Sequence, residues 1–198
     1  AYLAVEGLYY TKSRLRYNLR LFLWAGIMAA GNQVYNRLGE EKGLHIGNNI
    51  FFTLAVGVLC MNVLSSAKRA QTLALKVMGW AGVAVLAFFG MLFAEGGFVL
   101  LPFMIITDCC RERITLRNLL YAVLSVVMLA NAWHGYQTIE ETLRMLAFNS
   151  DFLFITVMPF LAAYNGERGQ KNCFTKYFFY VFYPAHLWVI GAIALAVS

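Results

Sequence analysis

Charge is scarce in this chain. Of its 198 residues only 13% are charged, about half the ~25% usual in soluble domains, while 61% are hydrophobic. A soluble protein of 22.3 kDa has too much surface for its volume to hide so many apolar side chains. Proline is rare too, with 3 residues, and the 16 glycines follow no period, so collagen-like and proline-rich disordered chains are excluded. The 4 cysteines form no CxxC pair, and no histidine stands at metal-ligand spacing from them. Neither a disulfide framework nor a bound metal is therefore expected. Walker, Rossmann and serine nucleophile-elbow patterns are missing, as is the basic n-region of a signal peptide.

What is present is apolar sequence in long runs. Seven stretches, at roughly 18–36, 49–66, 73–94, 97–109, 117–134, 148–164 and 177–197, are separated by short polar connections. With about 20 residues per crossing, this pattern predicts an all-α polytopic membrane bundle of about seven spans. Residues 1–10 are apolar but reach only ~15 Å as a helix, and so read as a partial N-terminal span. The fourth stretch is short and holds Pro102, which predicts a broken or tilted element. No connection is long enough for a second domain, so residues 1–198 read as a single membrane domain. In YQTIEETLRML, the spacing of Ile139, Leu143 and Leu146 suits a short amphipathic helix in the interface.

The formal net charge is +6, but the basic residues cluster between apolar runs, where topology explains them without nucleic acid. Thirteen of the 16 fall in one set of alternate loops, around positions 12–20, 68–76, 111–117 and 168–176. Arg37, Lys42 and Arg144 fall in the other set. The positive-inside rule then places the first set in the cytoplasm and the C-terminus outside.

Polar groups inside hydrocarbon are costly, and each is a functional candidate by default. His186, in KYFFYVFYPAHLW, sits about nine residues into the last apolar stretch, ~14 Å deep, with Tyr183 three positions before it on the same face. Pro184 removes an amide donor and frees the Tyr180 carbonyl beside them. A neutral imidazole at that depth suits a general base; a histidine bonded to a neighbouring helix only for packing fits the same pattern. Asn49, Thr53, Gly57 and Cys60 form a small, polar stripe that either lines a cavity or lets helices approach closely. Glu6 and Asp151 are carboxylates near span ends, suited to orienting a histidine, binding an amine or pairing with an arginine. Arg20, Arg168, Lys171 and Lys176 are inner-face cations, fit for phosphate recognition or for topology alone.

The segments KYFFYVFYPAHL (176–187), YNGERG (164–169) and NNIFFTL (48–54) resemble the TraX family, as do YTKSRLRYNLRLF (10–22) and VEG (5–7). The resemblance runs over nearly the whole chain. It implies a multi-span protein of the bacterial cytoplasmic membrane, and acetyl transfer from acetyl-CoA to a pilin or peptide amine. The family is also similar to a wider group of membrane acyltransferases that modify glycans. In that setting His186 and Tyr183 would be catalytic; Asn49, Thr53, Glu6 and Asp151 would bind the acceptor. Arg168, Lys171, Lys176 and Arg20 would contact the CoA phosphates. Family members usually begin with one more apolar helix ending in an Asp-His pair, so this TraX-like domain is expected to lack its first transmembrane helix. A small-solute transporter and a non-enzymatic partner of pilus or polysaccharide assembly are the competing functions. The partners expected are membrane lipids, acetyl-CoA and the acceptor, with no nucleic acid.

Overall fold

The computed structural model of the chain describes residues 1–166 and 173–197. Every regular element among them is helical: α1 (Tyr2–Tyr10), α2 (Arg14–Leu38), α3 (Ile50–Arg69), α4 (Leu73–Phe93), α5 (Gly97–Cys109), α6 (Ile114–Ala132), α7 (Ile139–Phe148), α8 (Val157–Ala163) and α9 (Cys173–Val197). Two 3-10 segments, Glu40–Lys42 and Ser150–Thr156, complete the order. The helix starts are legible locally. Ser13, Asn49, Thr72 and Thr138 each accept a bond from a backbone amide in the first turn of α2, α3, α4 and α7.

Helix α3 is the axis of the bundle. In its most apolar window 56% of residues are buried, against 17% for α4, 22% for α6 and 11% for α9. One side of α3 joins a core of Leu21, Ala25 and Met28 from α2, Phe103 and Met104 from α5, and Tyr121 from α6. Its other side packs Val56, Cys60 and Leu64 against Val83 and Ala87 of α4 and Leu101 of α5. Helix α2 buries Asn18, Leu21, Ala25, Met28, Asn32 and Tyr35, a stripe with alternating steps of three and four that runs its full length.

Four helices are long and apolar enough to cross a membrane: α3, α4, α6 and Tyr177–Val197 of α9. The bent pair of α7 with Ser150–Ala163 makes a fifth if it serves as one span. The sequence-based count of about seven is therefore narrowed to four or five helices of that character among the described residues. Helix α2 is long, but its asparagines and arginines lower its hydropathy. Helix α5 is apolar, but its 13 residues reach only about 20 Å, short of the ~30 Å hydrocarbon core. The expected span at 148–164 consists of a 3-10 segment followed by α8, set at 61° to α7. Asn149 ends α7, the Phe152 carbonyl is taken by the Ser125 hydroxyl of α6 at 2.7 Å, and Pro159 cannot donate to an earlier turn. That segment docks sideways on α6 instead of continuing as a rod.

Close approaches rest on glycine. Gly31 receives the Trp188 indole, and Gly191 receives the Tyr35 ring, so α2 and α9 exchange an aromatic for a glycine in each direction. At the tight turn into α5, a Cβ on Gly97 would run into the carbonyl oxygen of Gly90 and lie 2.9 Å from the Met91 Cα. Both obstacles are backbone and cannot rotate away. Gly97→Ala is accordingly expected to destabilise the fold by about 1–3 kcal/mol, seen as a lower thermal midpoint in detergent. An unchanged midpoint would mean that α4 and α5 do not meet this closely.

Candidate functional site

The α2–α3 connection carries Asn48 and Asn49 directly before α3, and the α4–α5 turn carries the acid Glu95. In lipid-facing structure such backbone has to be satisfied internally, and α2 supplies the means. Asn36 clamps Ile46 by both atoms, donating to its carbonyl at 3.1 Å and accepting from its amide at 2.7 Å. Asn32 donates to the Asn48 carbonyl at 2.8 Å and accepts from the Trp188 indole N–H at 3.0 Å, which ties α2, the connection and α9 together. Asn49 donates to the Ala25 carbonyl at 2.9 Å while its own oxygen caps α3.

This scaffold gathers a polar cluster around Glu95. Asn48 Nδ2 donates to Glu95 Oε1 at 2.6 Å, and Thr53 Oγ1 donates to the Glu95 backbone carbonyl at 2.7 Å. The Tyr183 hydroxyl faces both carboxylate oxygens, at 3.4 Å each. No lysine or arginine among the described residues pairs with this carboxylate; the one ion pair among them lies elsewhere. Beside Tyr183, edge-on with ring centroids 5.2 Å apart, is His186, which also stacks on Phe182 at 5.1 Å. His186 lies near the middle of α9, 13 residues from its start and 11 from its end. Its Nδ1 meets the Phe182 carbonyl at 3.0 Å. A carbonyl can only accept, so this contact puts the proton on Nδ1 and leaves the Nε2 lone pair free.

Beneath this cluster lies an aromatic wall. Tyr180 stacks on Phe51 (5.6 Å) and Trp24 (5.5 Å), and Phe51 meets Tyr183 edge-on at 5.9 Å. Arg20 closes it, with Nε donating to the Tyr180 hydroxyl at 3.2 Å and the guanidinium over the rings of Tyr17 and Tyr180.

The structure thus brings together Tyr183, His186, Asn49, Thr53 and Arg20 of the residues singled out from sequence. Glu6 belongs to the other end of the molecule. It is buried and paired with Arg111 at 3.1 Å, and Arg111 follows the far end of α5 from Glu95. Partial burial works against the Arg111 charge, but the bond and charge of Glu6 outweigh it and hold the guanidinium above its ordinary pKa. Tyr9 lies beneath the Arg111 guanidinium, 3.9 Å from its ring centroid, and donates to Asp108 at 2.7 Å. Asp151 is exposed in the 3-10 segment. Arg168 and Lys171 lie outside the described residues, as does the Lys176 side chain.

Sequence reasoning missed Glu95, Asn48 and Asn32. Glu95 carried a usable signal: an acid in the apolar run MLFAEGGFVLL is as anomalous as a buried histidine. The asparagines did not, because their value comes from partners more than ten positions away. Asn32→Ala strands the Trp188 N–H and the Asn48 carbonyl, and is expected to cost about 1–3 kcal/mol in thermal unfolding in detergent. A loss within 0.5 kcal/mol would mean that the two contacts do not hold the connection.

Comparison with known proteins gives one result. No curated protein and no solved structure gives a significant match. The sequence profile described as TraX protein matches residues 1–194, nearly the whole chain that forms the bundle and the Glu95 cluster. The chain belongs to the TraX family.

Proposed function

We propose that this chain is an acetyltransferase of the bacterial cytoplasmic membrane, moving the acetyl group of acetyl-CoA to an amine or hydroxyl of a peptide, pilin or glycan acceptor. The observation that carries the reading is the His186–Tyr183–Glu95 arrangement: an imidazole near mid-helix with a free Nε2, next to a hydroxyl that faces a carboxylate with no cation on it among the described residues. Membership of the TraX family supports it.

In this reading the acceptor enters from the end that holds Glu95, and the donor from the end richest in basic residues. The Glu95 carboxylate, held by Asn48, takes the acceptor's N–H or O–H. His186 Nε2 then removes that proton as the acceptor attacks the thioester carbonyl. The new C–N or C–O bond forms and the C–S bond breaks. The departing thiolate takes the proton back from the imidazolium, so the histidine ends neutral. Tyr183 positions both groups, since its ring meets His186 and its hydroxyl meets Glu95. Arg168, Lys171 and Lys176 are proposed for the phosphates of the donor, with Arg20 bracing the aromatic wall between the two ends. Glu6 and Asp151 have no part in the transfer step.

The test is transfer of radiolabelled acetyl from acetyl-CoA in proteoliposomes supplied with peptide-amine and glycan acceptors. His186→Ala is expected to lower turnover by about 10²-fold or more, in line with the loss of a general base. Glu95→Gln, which keeps the Asn48 contact, is expected to raise the acceptor KM with less effect on kcat. Turnover at the wild-type rate by the His186→Ala protein would remove His186 from the mechanism.

A further inference from the structure

At the basic end of the bundle one buried cation has no carboxylate partner among the described residues, where the single ion pair is Glu6–Arg111. It is Arg117, in the first turns of α6 and 8% exposed. Its Nε is buried without any hydrogen-bond partner, and Nη2 has only a long 3.4 Å contact to its neighbour Asn118. The rings of Tyr2 and Tyr121 flank the guanidinium, each with its centroid 5.9 Å away. The Tyr121 hydroxyl is already engaged with Thr107 at 2.6 Å and has little to offer Arg117. A buried charge left this way is strongly unfavourable unless an anion answers it.

Two neighbouring features say which anion. Arg117 lies one turn inside the start of α6, a 19-residue helix whose N-cap, Arg113, makes no side-chain capping bond. Its first-turn amides therefore point outward unpaired, and the helix dipole favours negative charge there. A residue at this position leans back toward the helix start, and the exposed Arg113 adds a second cation. The second feature is an apolar cleft of about 400 Å³, whose lining includes Tyr2, Val99, Phe103, Phe154, Val157 and Phe160. Tyr2 belongs to both the cleft and the Arg117 surroundings, and Phe103 stacks on Tyr121 at 4.6 Å. Tyr2 thus joins the guanidinium's surroundings to the cleft, whose lining follows α5 from Phe103 to Val99.

We propose that this is a phospholipid site, with the lipid phosphate on Arg117 and the α6 N-terminus and an acyl chain in the cleft. A phosphate offers several acceptor oxygens to a guanidinium fork and backbone amides at once. Its depth, near one end of the bundle, matches a headgroup whose chain runs toward the bilayer centre. The site is separate from the Glu95 cluster, and its test reads binding without turnover, so it stands or falls apart from the acetyl-transfer reading.

The experiment measures binding to the full chain, purified and delipidated in neutral detergent, by thermal shift and calorimetric titration. Three probes are compared: dihexanoylphosphatidylglycerol, dihexanoylglycerol with the same chains but no phosphate, and inorganic phosphate. The phospholipid is expected to bind saturably and raise the midpoint, with the other two at least tenfold weaker. Arg117→Gln is expected to weaken the phospholipid at least tenfold, whereas Arg69→Gln, at the exposed end of α3, leaves it unchanged. Should Arg117→Gln fail to fold, Arg117→Lys keeps the charge but not the fork, and is expected to show an intermediate loss. Inorganic phosphate binding as tightly as the phospholipid would replace the proposal with a simple anion site. Equal binding of dihexanoylglycerol, or wild-type affinity in both Arg117 variants, would overturn it.

Discussion

Asn32 holds this molecule in its working shape. Within a bilayer no water is at hand to satisfy a loose amide, so a bend or connection near the bundle survives only if side chains answer its backbone. Asn32 does this for the Asn48 carbonyl with its nitrogen and anchors Trp188 with its oxygen. Asn48 is thereby set where its own side chain reaches Glu95, and α9 is held where Tyr183 faces the same carboxylate. Asn18 extends the arrangement down α2 by donating to the Ala55 carbonyl of α3 at 2.8 Å. In water each such bond would be worth little net. Here the apolar faces gain nothing by leaving lipid for one another, so hydrogen bonds and close packing carry the specificity of association.

The all-helical character was legible because membrane solvation imposes one signal, length of apolar sequence, that needs no tertiary knowledge. The bounds of α4 and α5 were nearly read off directly, Leu73–Phe93 and Gly97–Cys109 against expected runs of 73–94 and 97–109. At 148–164 the same signal said nothing of shape: the segment bends 61° from α7 and has the character of a span only together with it. A run of apolar residues reports only avoidance of water, and carries no sign of the bend where Ser125 takes the Phe152 carbonyl and Pro159 follows. In α2 the expected run of 18–36 does form a helix central to the architecture, but one without the hydropathy of a span. Two of the polar residues that lower it, Asn18 and Asn32, are turned inward, while Arg16, Gln33 and Arg37 stay exposed.

For the candidate site, sequence reached residues that are costly by type. His186 and Tyr183 announce themselves at midspan, and both stand together in the structure. Thr53 was picked as part of a stripe, and its hydroxyl does reach the cluster, through the Glu95 carbonyl. Glu6 was picked on the same grounds as His186, yet its pairing with Arg111 separates it from the others, since chain position near a span end does not say which end of the bundle a partner occupies. Glu95 and Arg117 owe their interest to what surrounds them among the described residues: one carboxylate with donors but no cation, one guanidinium with rings but no anion.

The mutual exchange of Gly31 for Trp188 and of Gly191 for Tyr35 acts as a depth gauge. Both pairs advance in the same direction along the two chains, so α2 and α9 lie parallel and interlock like two teeth of a rack. A slip of α9 by one turn, ~5.4 Å, would drive Trp188 onto Ile27 or Tyr35, where no socket exists. Helix α9 buries little of its surface and could otherwise slide or rotate cheaply. The teeth fix its register, and with it the height at which the imidazole meets whatever arrives from either face.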